Sequence, residues 1–179
     1  RQRWFGCACC PGNVTRFIAS VPGYVYAVRD RESHDIFVNL YAQSIADIQV
    51  GRQKVELEQV TQYPWHGKVS IRVKKGGGKF ALKLRITSWL KTSPTKNCLY
   101  TYLDKAANYS VSVNGKALYP ENTDYLTISR TWKKGDVIDL DFPMEVRRIV
   151  ANDNAEDLRR KIALERGPVV YCIEAGDQS

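Results

Sequence analysis

Val69-Ser70-Ile71-Arg72-Val73-Lys74-Lys75-Gly76-Gly77-Gly78-Lys79-Phe80-Ala81-Leu82-Lys83-Leu84-Arg85-Ile86 is the stretch that decides the fold. Apolar residues recur at every second position on both sides of the glycines. A pleated strand sends successive side chains to opposite faces. The pattern therefore predicts two strands, each with one face buried and one in water. Gly76-Gly77-Gly78 between them predicts a loose hairpin.

The same period continues outward. Ile36, Val38, Leu40 and Ala42 face one way, with Phe37, Asn39 and Tyr41 opposite. Val55, Leu57 and Gln59 alternate with Glu56 and Glu58. Asn114-Gly115 separates Val111-Ser112-Val113 from Lys116-Ala117-Leu118. That dipeptide signals a type I′ hairpin, because both turn positions need positive φ. Lys133-Lys134-Gly135-Asp136 leads into a strand over 137–142, and further strands are predicted over 146–150, 161–165 and 169–173. The polar, turn-rich segment 91–108 is either disordered or carries a short strand over 99–103.

The N-terminal part reads differently. Residues 13–21 form a short predicted helix, with Asn13 as its cap and Val14, Phe17, Ile18 and Val21 as an apolar stripe. Pro22-Gly23 breaks or ends it. Residues 24–28 are either another helical turn or a first strand. Arg29-Asp30-Arg31-Glu32-Ser33 is a charged connector and the candidate boundary, giving units 1–30 and 31–179. The fold class is mainly β: an antiparallel, jelly-roll-like β-sandwich preceded by a short helix.

At 179 residues with 44% hydrophobic content, the chain can bury a substantial core, which argues against disorder. No apolar run approaches the roughly 20 residues needed to span a bilayer, so no membrane partner is expected. The net charge of +8 raises nucleic acid as a partner. The basic residues alternate with apolar ones, as in Leu82-Lys83-Leu84-Arg85-Ile86, which is the wet face of a strand rather than a basic stripe. Nucleic acid is therefore not expected.

The cysteines are unevenly placed. Cys7, Cys9 and Cys10 crowd together, whereas Cys98 and Cys172 are isolated. Such density suggests metal binding, redox chemistry or nucleophilic catalysis. An odd total cannot pair completely, and no disulfide framework is inferred. The chain begins with Arg1 rather than Met, and the thiol cluster lies almost at that first residue, so it reads as a piece of a longer protein.

A specific resemblance emerges from several motifs in order. Trp4-Phe5-Gly6-Cys7-Ala8-Cys9-Cys10-Pro11-Gly12-Asn13 is followed by an apolar helix and by Tyr24-Val25-Tyr26-Ala27. Phe37-Val38-Asn39-Leu40-Tyr41, Leu84-Arg85-Ile86-Thr87-Ser88-Trp89 and Val113-Asn114-Gly115 come next. Arg130-Thr131-Trp132-Lys133-Lys134-Gly135-Asp136, Phe142-Pro143-Met144 and Arg166-Gly167-Pro168-Val169-Val170-Tyr171 complete the set. Together they resemble glycoside hydrolase family 127, the β-L-arabinofuranosidase family (the former DUF1680 group). Thr87 stands where the family segment usually has Pro.

The resemblance implies an (α/α)6 catalytic barrel followed by β-sandwich domains, with residues 1–30 as the barrel's last part. It implies Cys9 as nucleophile and zinc ligand, and Cys10 as a second zinc ligand. The other implied ligands, a glutamate and a cysteine, and the glutamate acting as acid/base would lie upstream. The implied chemistry is retaining hydrolysis of an arabinose-containing glycan through a thioglycosyl intermediate. Alone, this chain is expected to be inactive and to hold zinc weakly or not at all, since structural zinc takes four ligands. It would then serve as a structural accessory to the barrel, its partner.

Read without the resemblance, Cys9 and Cys10 are as readily two ordinary small buried hydrophobes as a functional pair, and in an isolated fragment they could also form a strained vicinal disulfide. Cys7 is read as structural. His34 and His66 are read as solvated loop residues, as are Glu56, Glu58, Asp139 and Asp141 on strand faces. Trp65, Trp89, Trp132, Tyr63 and Tyr125 could stack on sugars, but core packing is the commoner fate of such residues. Tyr63-Pro64-Trp65-His66-Gly67 sits in a predicted turn, which makes Trp65 the candidate sugar contact. An alternative reading is therefore a carbohydrate-binding module.

Overall fold

The computed structural model describes residues 9–29, 31, 33–90, 93–94, 99–105, 107–119 and 124–171. Cys7, Cys98, Cys172 and the stretch from Trp4 to Ala8 lie outside the described residues. Helix α1 (Cys9–Ser20) comes first. The strands follow as β1 (Tyr26–Arg29), β2 (Asp35–Val38), β3 (Ser44–Val50), β4 (Gln53–Thr61), β5 (Lys68–Lys75), β6 (Gly78–Arg85) and β7 (Tyr100–Tyr102). Next are β8 (Ser110–Val113), β9 (Lys116–Leu118), β10 (Tyr125–Trp132), β11 (Val137–Asp141), β12 (Val146–Ala151), β13 (Ala163–Arg166) and β14 (Val169–Tyr171).

Helix α1 starts four residues earlier than the sequence predicts. Pro11 falls in its first turn, where backbone N–H groups lack intrahelical partners, so the missing donor costs nothing. Asn13 is consequently inside the helix and not its cap; its Oδ1 accepts from Arg16 Nη2 at 2.6 Å. Val21–Tyr24 is a 3₁₀ turn holding Pro22, and β1 follows it.

Two sheets form the sandwich. One has the order β1-β2-β6-β10, the other β3-β4-β5-β11-β8-β9. Pairing is antiparallel except between β2 and β6. The chain leaves β2, builds β3, β4 and β5 in the opposite sheet, and returns to lie beside β2 in the same direction. The glycine run makes that return. Gly76, Gly77 and Gly78 do not turn a hairpin, because β5 and β6 belong to different sheets. A Cβ on Gly76 (φ +73°) would lie 2.1 Å from the Lys54 carbonyl oxygen, and one on Gly77 2.4 Å from that of Trp132. Only glycine lets the chain pass between the sheets there.

The core lies between the sheets. Ile36, Val38, Leu82, Leu84 and Trp132 meet Val55, Leu57, Ile71, Ile138 and Leu140, all nearly inaccessible to water. Each such side chain contributes about 1.5–3 kcal/mol on burial. Trp132 stacks on Phe80 and donates its indole N–H to the Phe80 carbonyl at 3.1 Å. Trp89 is buried as well, donating to the Tyr63 hydroxyl at 3.0 Å.

The long alternation over 36–42 is interrupted. Strand β2 stops at Val38, and the amides of Asn39 and Leu40 both turn to the Val25 carbonyl. The bend swings Tyr41 into the core, opposite to the face predicted, with its hydroxyl donating to the Arg85 carbonyl at 2.7 Å. Glu56 and Glu58 also depart from expectation. They are ion-paired rather than solvated, to Lys75 at 2.6 Å and Lys74 at 3.1 Å. The predicted I′ hairpin is present, with Asn114 at φ 51° and Gly115 at φ 77°.

A third sheet, β14-β13-β12-β7, includes the short strand predicted in the segment 91–108. Arg147 ties it to the sandwich, donating to the Trp89 carbonyl at 2.6 Å and lying over the Tyr102 ring. The Tyr102 hydroxyl donates to Glu165 at 3.0 Å. Burial pushes Glu165 upward, although Tyr102 and Arg147 favour its charged form. Burial together with the Glu165 hydrogen bond pushes Tyr102 up to about 12.

At the sheet's rim, Asp104 accepts from the Arg148 guanidinium and backbone, with contacts at 2.7 Å to Nη2 and to N. Those hydrogen bonds hold Asp104 down at about 2. A lowered carboxylate stabilises the fold above its unfolded value of about 3.9, and this contribution is lost as pH falls through its folded value. Asp104→Asn is therefore expected to flatten the acid limb of a Tm-against-pH profile between about pH 4 and 2; an acid limb identical to that of the wild type would show that the Asp104–Arg148 pair contributes nothing.

Candidate functional site

Two places hold the residues singled out from the sequence. The first is the start of α1. Cys9 and Cys10 are both exposed, and their sulfurs stand 3.7 Å apart. That is well beyond a bonded S–S of about 2.05 Å, so the pair is not joined as a vicinal disulfide. Nor are these thiols buried hydrophobes. The spacing has a chemical meaning: two thiolates on one tetrahedral zinc, each at about 2.3 Å, stand about 3.8 Å apart. The donor set thus fits half of a zinc site. Among the described residues, no group of three or more His, Cys, Asp or Glu side chains gathers here or elsewhere.

Along α1, Val14, Phe17 and Ile18 form the apolar stripe read from the sequence, and they are 55–64% exposed. Phe17 touches Tyr24 at a ring distance of 6.4 Å. No described helix is long and apolar enough to cross a membrane.

The second place is the turn between β4 and β5, where Trp65 is 61% exposed. Tyr63-Pro64 is a cis peptide bond. The turn is closed by Trp65 and His66 amides donating to the Gln62 carbonyl at 2.9 and 3.2 Å. Gly67 closes its far side: a Cβ there would lie 1.7 Å from the Phe142 carbonyl oxygen, and the Phe142 amide donates to the Gly67 carbonyl at 3.1 Å. Arg166, from β13, donates Nη1 to the Trp65 carbonyl at 3.1 Å.

Beside these ties lies an open cleft of about 700 Å³. Gln43, Gln62, His66, Lys68, Asp141 and Arg166 line it, together with Pro143 and Met144. Sequence reasoning found Trp65 but missed the cleft. Its polar groups come from segments more than a hundred residues apart, and no local pattern joins them. His34 and His66 are exposed, as are Asp139 and Asp141.

Residues 35–144 match the family model described as "Beta-L-arabinofuranosidase, GH127 middle domain", and residues 146–179 match "Glycoside hydrolase family 127 C-terminal domain". A non-reducing end beta-L-arabinofuranosidase of Bifidobacterium longum subsp. longum is 31% identical over 186 residues, covering 99% of this chain and 25% of that protein. A solved GH127 beta-arabinofuranosidase is similar with TM-score 0.92 and 45% identity, over 99% of this chain and 28% of the other. A GH127 beta-L-arabinofuranosidase from Geobacillus stearothermophilus T6 is similar with TM-score 0.79 and 37% identity, over 97% of this chain and 25% of the other. The chain spans about a quarter of the length of these relatives.

Proposed function

Because this chain belongs to glycoside hydrolase family 127, we propose that it carries the nucleophile of a zinc-dependent, retaining β-L-arabinofuranosidase. The observation that carries this reading is the 3.7 Å spacing of the Cys9 and Cys10 sulfurs at the head of α1. The related arabinofuranosidases align over nearly the whole chain, which supports the substrate class.

Cys9 and Cys10 would hold the zinc, together with a glutamate and a cysteine that the family resemblance puts upstream. Bound there, the metal keeps a coordinated thiol as its thiolate at neutral pH. Cys9 Sγ attacks the anomeric carbon. The new C–S bond forms as the glycosidic C–O bond breaks. The leaving oxygen takes its proton from the upstream glutamic acid. The resulting glutamate then takes a proton from water, and that water's oxygen displaces the sulfur. Two inversions at one carbon give net retention.

The remainder of the chain serves as a structural accessory. In this reading residues 1–30 complete the catalytic barrel, and the exposed stripe of Val14, Phe17 and Ile18 is the face that packs into it. Residues 31–179 form the β region that supports the barrel.

Zinc content tests the donor assignment. In the full-length protein, Cys10→Ala is expected to lower zinc affinity by at least about tenfold, since it removes a ligand thiolate. Competition against a chromogenic chelator reads this directly. An unchanged zinc affinity in Cys10→Ala would show that Cys10 is no ligand.

A further inference from the structure

We propose that the cleft beside the β4–β5 turn binds an oligosaccharide bearing a uronate. The proposal rests on the reading of this chain as part of a carbohydrate-active protein.

The cleft is preformed. Its walls are tied together by Phe142 to Gly67, by Arg166 to Trp65, and by the Thr61 amide donating to Gln43 Oε1 at 3.1 Å. A ligand entering it need not order these loops, which removes much of the entropic cost of binding. Its volume of about 700 Å³ lies within the range of small-ligand clefts, roughly 300–1,000 Å³.

The lining selects the ligand. Lys68, Arg166 and His66 offer nitrogen donors, against one carboxylate, Asp141. Lys68 makes no ion pair among the described residues, although Asp141 is its register partner across β5 and β11. Arg166 spends one N–H on the Trp65 carbonyl and retains the others. A ligand carboxylate would gain charge-assisted hydrogen bonds from these groups. The amides of Gln43 and Gln62, and Asp141 itself, suit sugar hydroxyls. Pro143 and Met144 add apolar surface to the lining, and Trp65 stands exposed on the adjacent turn. A simple inorganic anion would use only the cations, whereas a sugar acid uses both sets.

Titration calorimetry on the full-length protein, with trigalacturonate and a neutral galactotriose as probes, tests this. Trigalacturonate is expected to bind at least tenfold more tightly than the neutral sugar, and less tightly as salt rises. Lys68→Gln and Gln62→Ala are each expected to weaken it, Lys68→Gln by tenfold or more, with Tm unchanged. Equal affinity for both sugars, no binding of trigalacturonate, or full affinity in Lys68→Gln overturns the proposal. So does hydroxyl-radical footprinting that finds Gln62 and Lys68 protected without sugar, because another part of the protein would then fill the cleft. If the wild-type protein binds trigalacturonate but hydrolyses no aryl β-L-arabinofuranoside, the catalytic reading fails and the cleft assignment stands.

Discussion

Cys9→Ala in the full-length protein is expected to lower kcat for an aryl β-L-arabinofuranoside by at least about 10³-fold, with folding retained. On the mechanism proposed above, removing the sulfur leaves no atom to form the covalent intermediate, and positioning alone cannot replace it. The side chain is exposed at a helix start, so its removal leaves no core cavity. Tm should therefore move little when compared with a protein already depleted of zinc. Cys9→Ser is expected to fail nearly as badly, because a hydroxyl at neutral pH is a far weaker nucleophile than a thiolate. Activity within tenfold of wild type in Cys9→Ala would remove this residue from the reaction.

Phe142→Ala should produce the largest loss of stability, about 3–5 kcal/mol by denaturant unfolding. Phe142 is 1% exposed and lies at the centre of an aromatic cluster. Its ring centroid is 5.2 Å from Tyr41, 6.0 Å from Tyr109, 6.2 Å from Trp89 and 6.5 Å from Tyr63. Truncation would open a cavity and also forfeit edge and tilted ring contacts. The same residue pins the β4–β5 turn through the Gly67 carbonyl. Phe142→Leu, which keeps most of the volume, should cost markedly less. A cost below about 1 kcal/mol for the alanine variant would mean that the cluster rearranges to close the gap.

The regular strands were legible because alternation reports a face. Strands β4, β5, β6 and β11 bury the residues that their sequence pattern assigns inward. Strand β10 was not legible. Along Leu126, Ile128, Arg130 and Trp132, an arginine takes an inward place in the alternation. It escapes burial by reaching over the Trp132 ring toward Asp136. Strand β3 was hidden for a related reason: Ile45 is exposed while Ile48 and Val50 are buried, so apolar residues occupy both faces.

The glycine run shows a different limit. Its flexibility was evident from the sequence, but not its destination. A hairpin and a crossing between sheets both need small residues, and only the partners of β5 and β6 distinguish them. The candidate site divides in the same way. Cys9 and Cys10 are adjacent, so local reading found them. The cleft draws on Gln43, Lys68 and Arg166, whose proximity arises only when two sheets, β3-β4-β5-β11-β8-β9 and β14-β13-β12-β7, have formed and met.

The central claim is that Cys9 carries the sugar during turnover. Rapid acid quench of the full-length protein with an activated β-L-arabinofuranoside, followed by peptide mass mapping, tests it most directly. The account predicts one pentosyl group attached to Cys9, absent from Cys9→Ala and lost on further incubation in water. A pentosyl group on a carboxylate side chain, or release of product with inverted anomeric configuration, would contradict it.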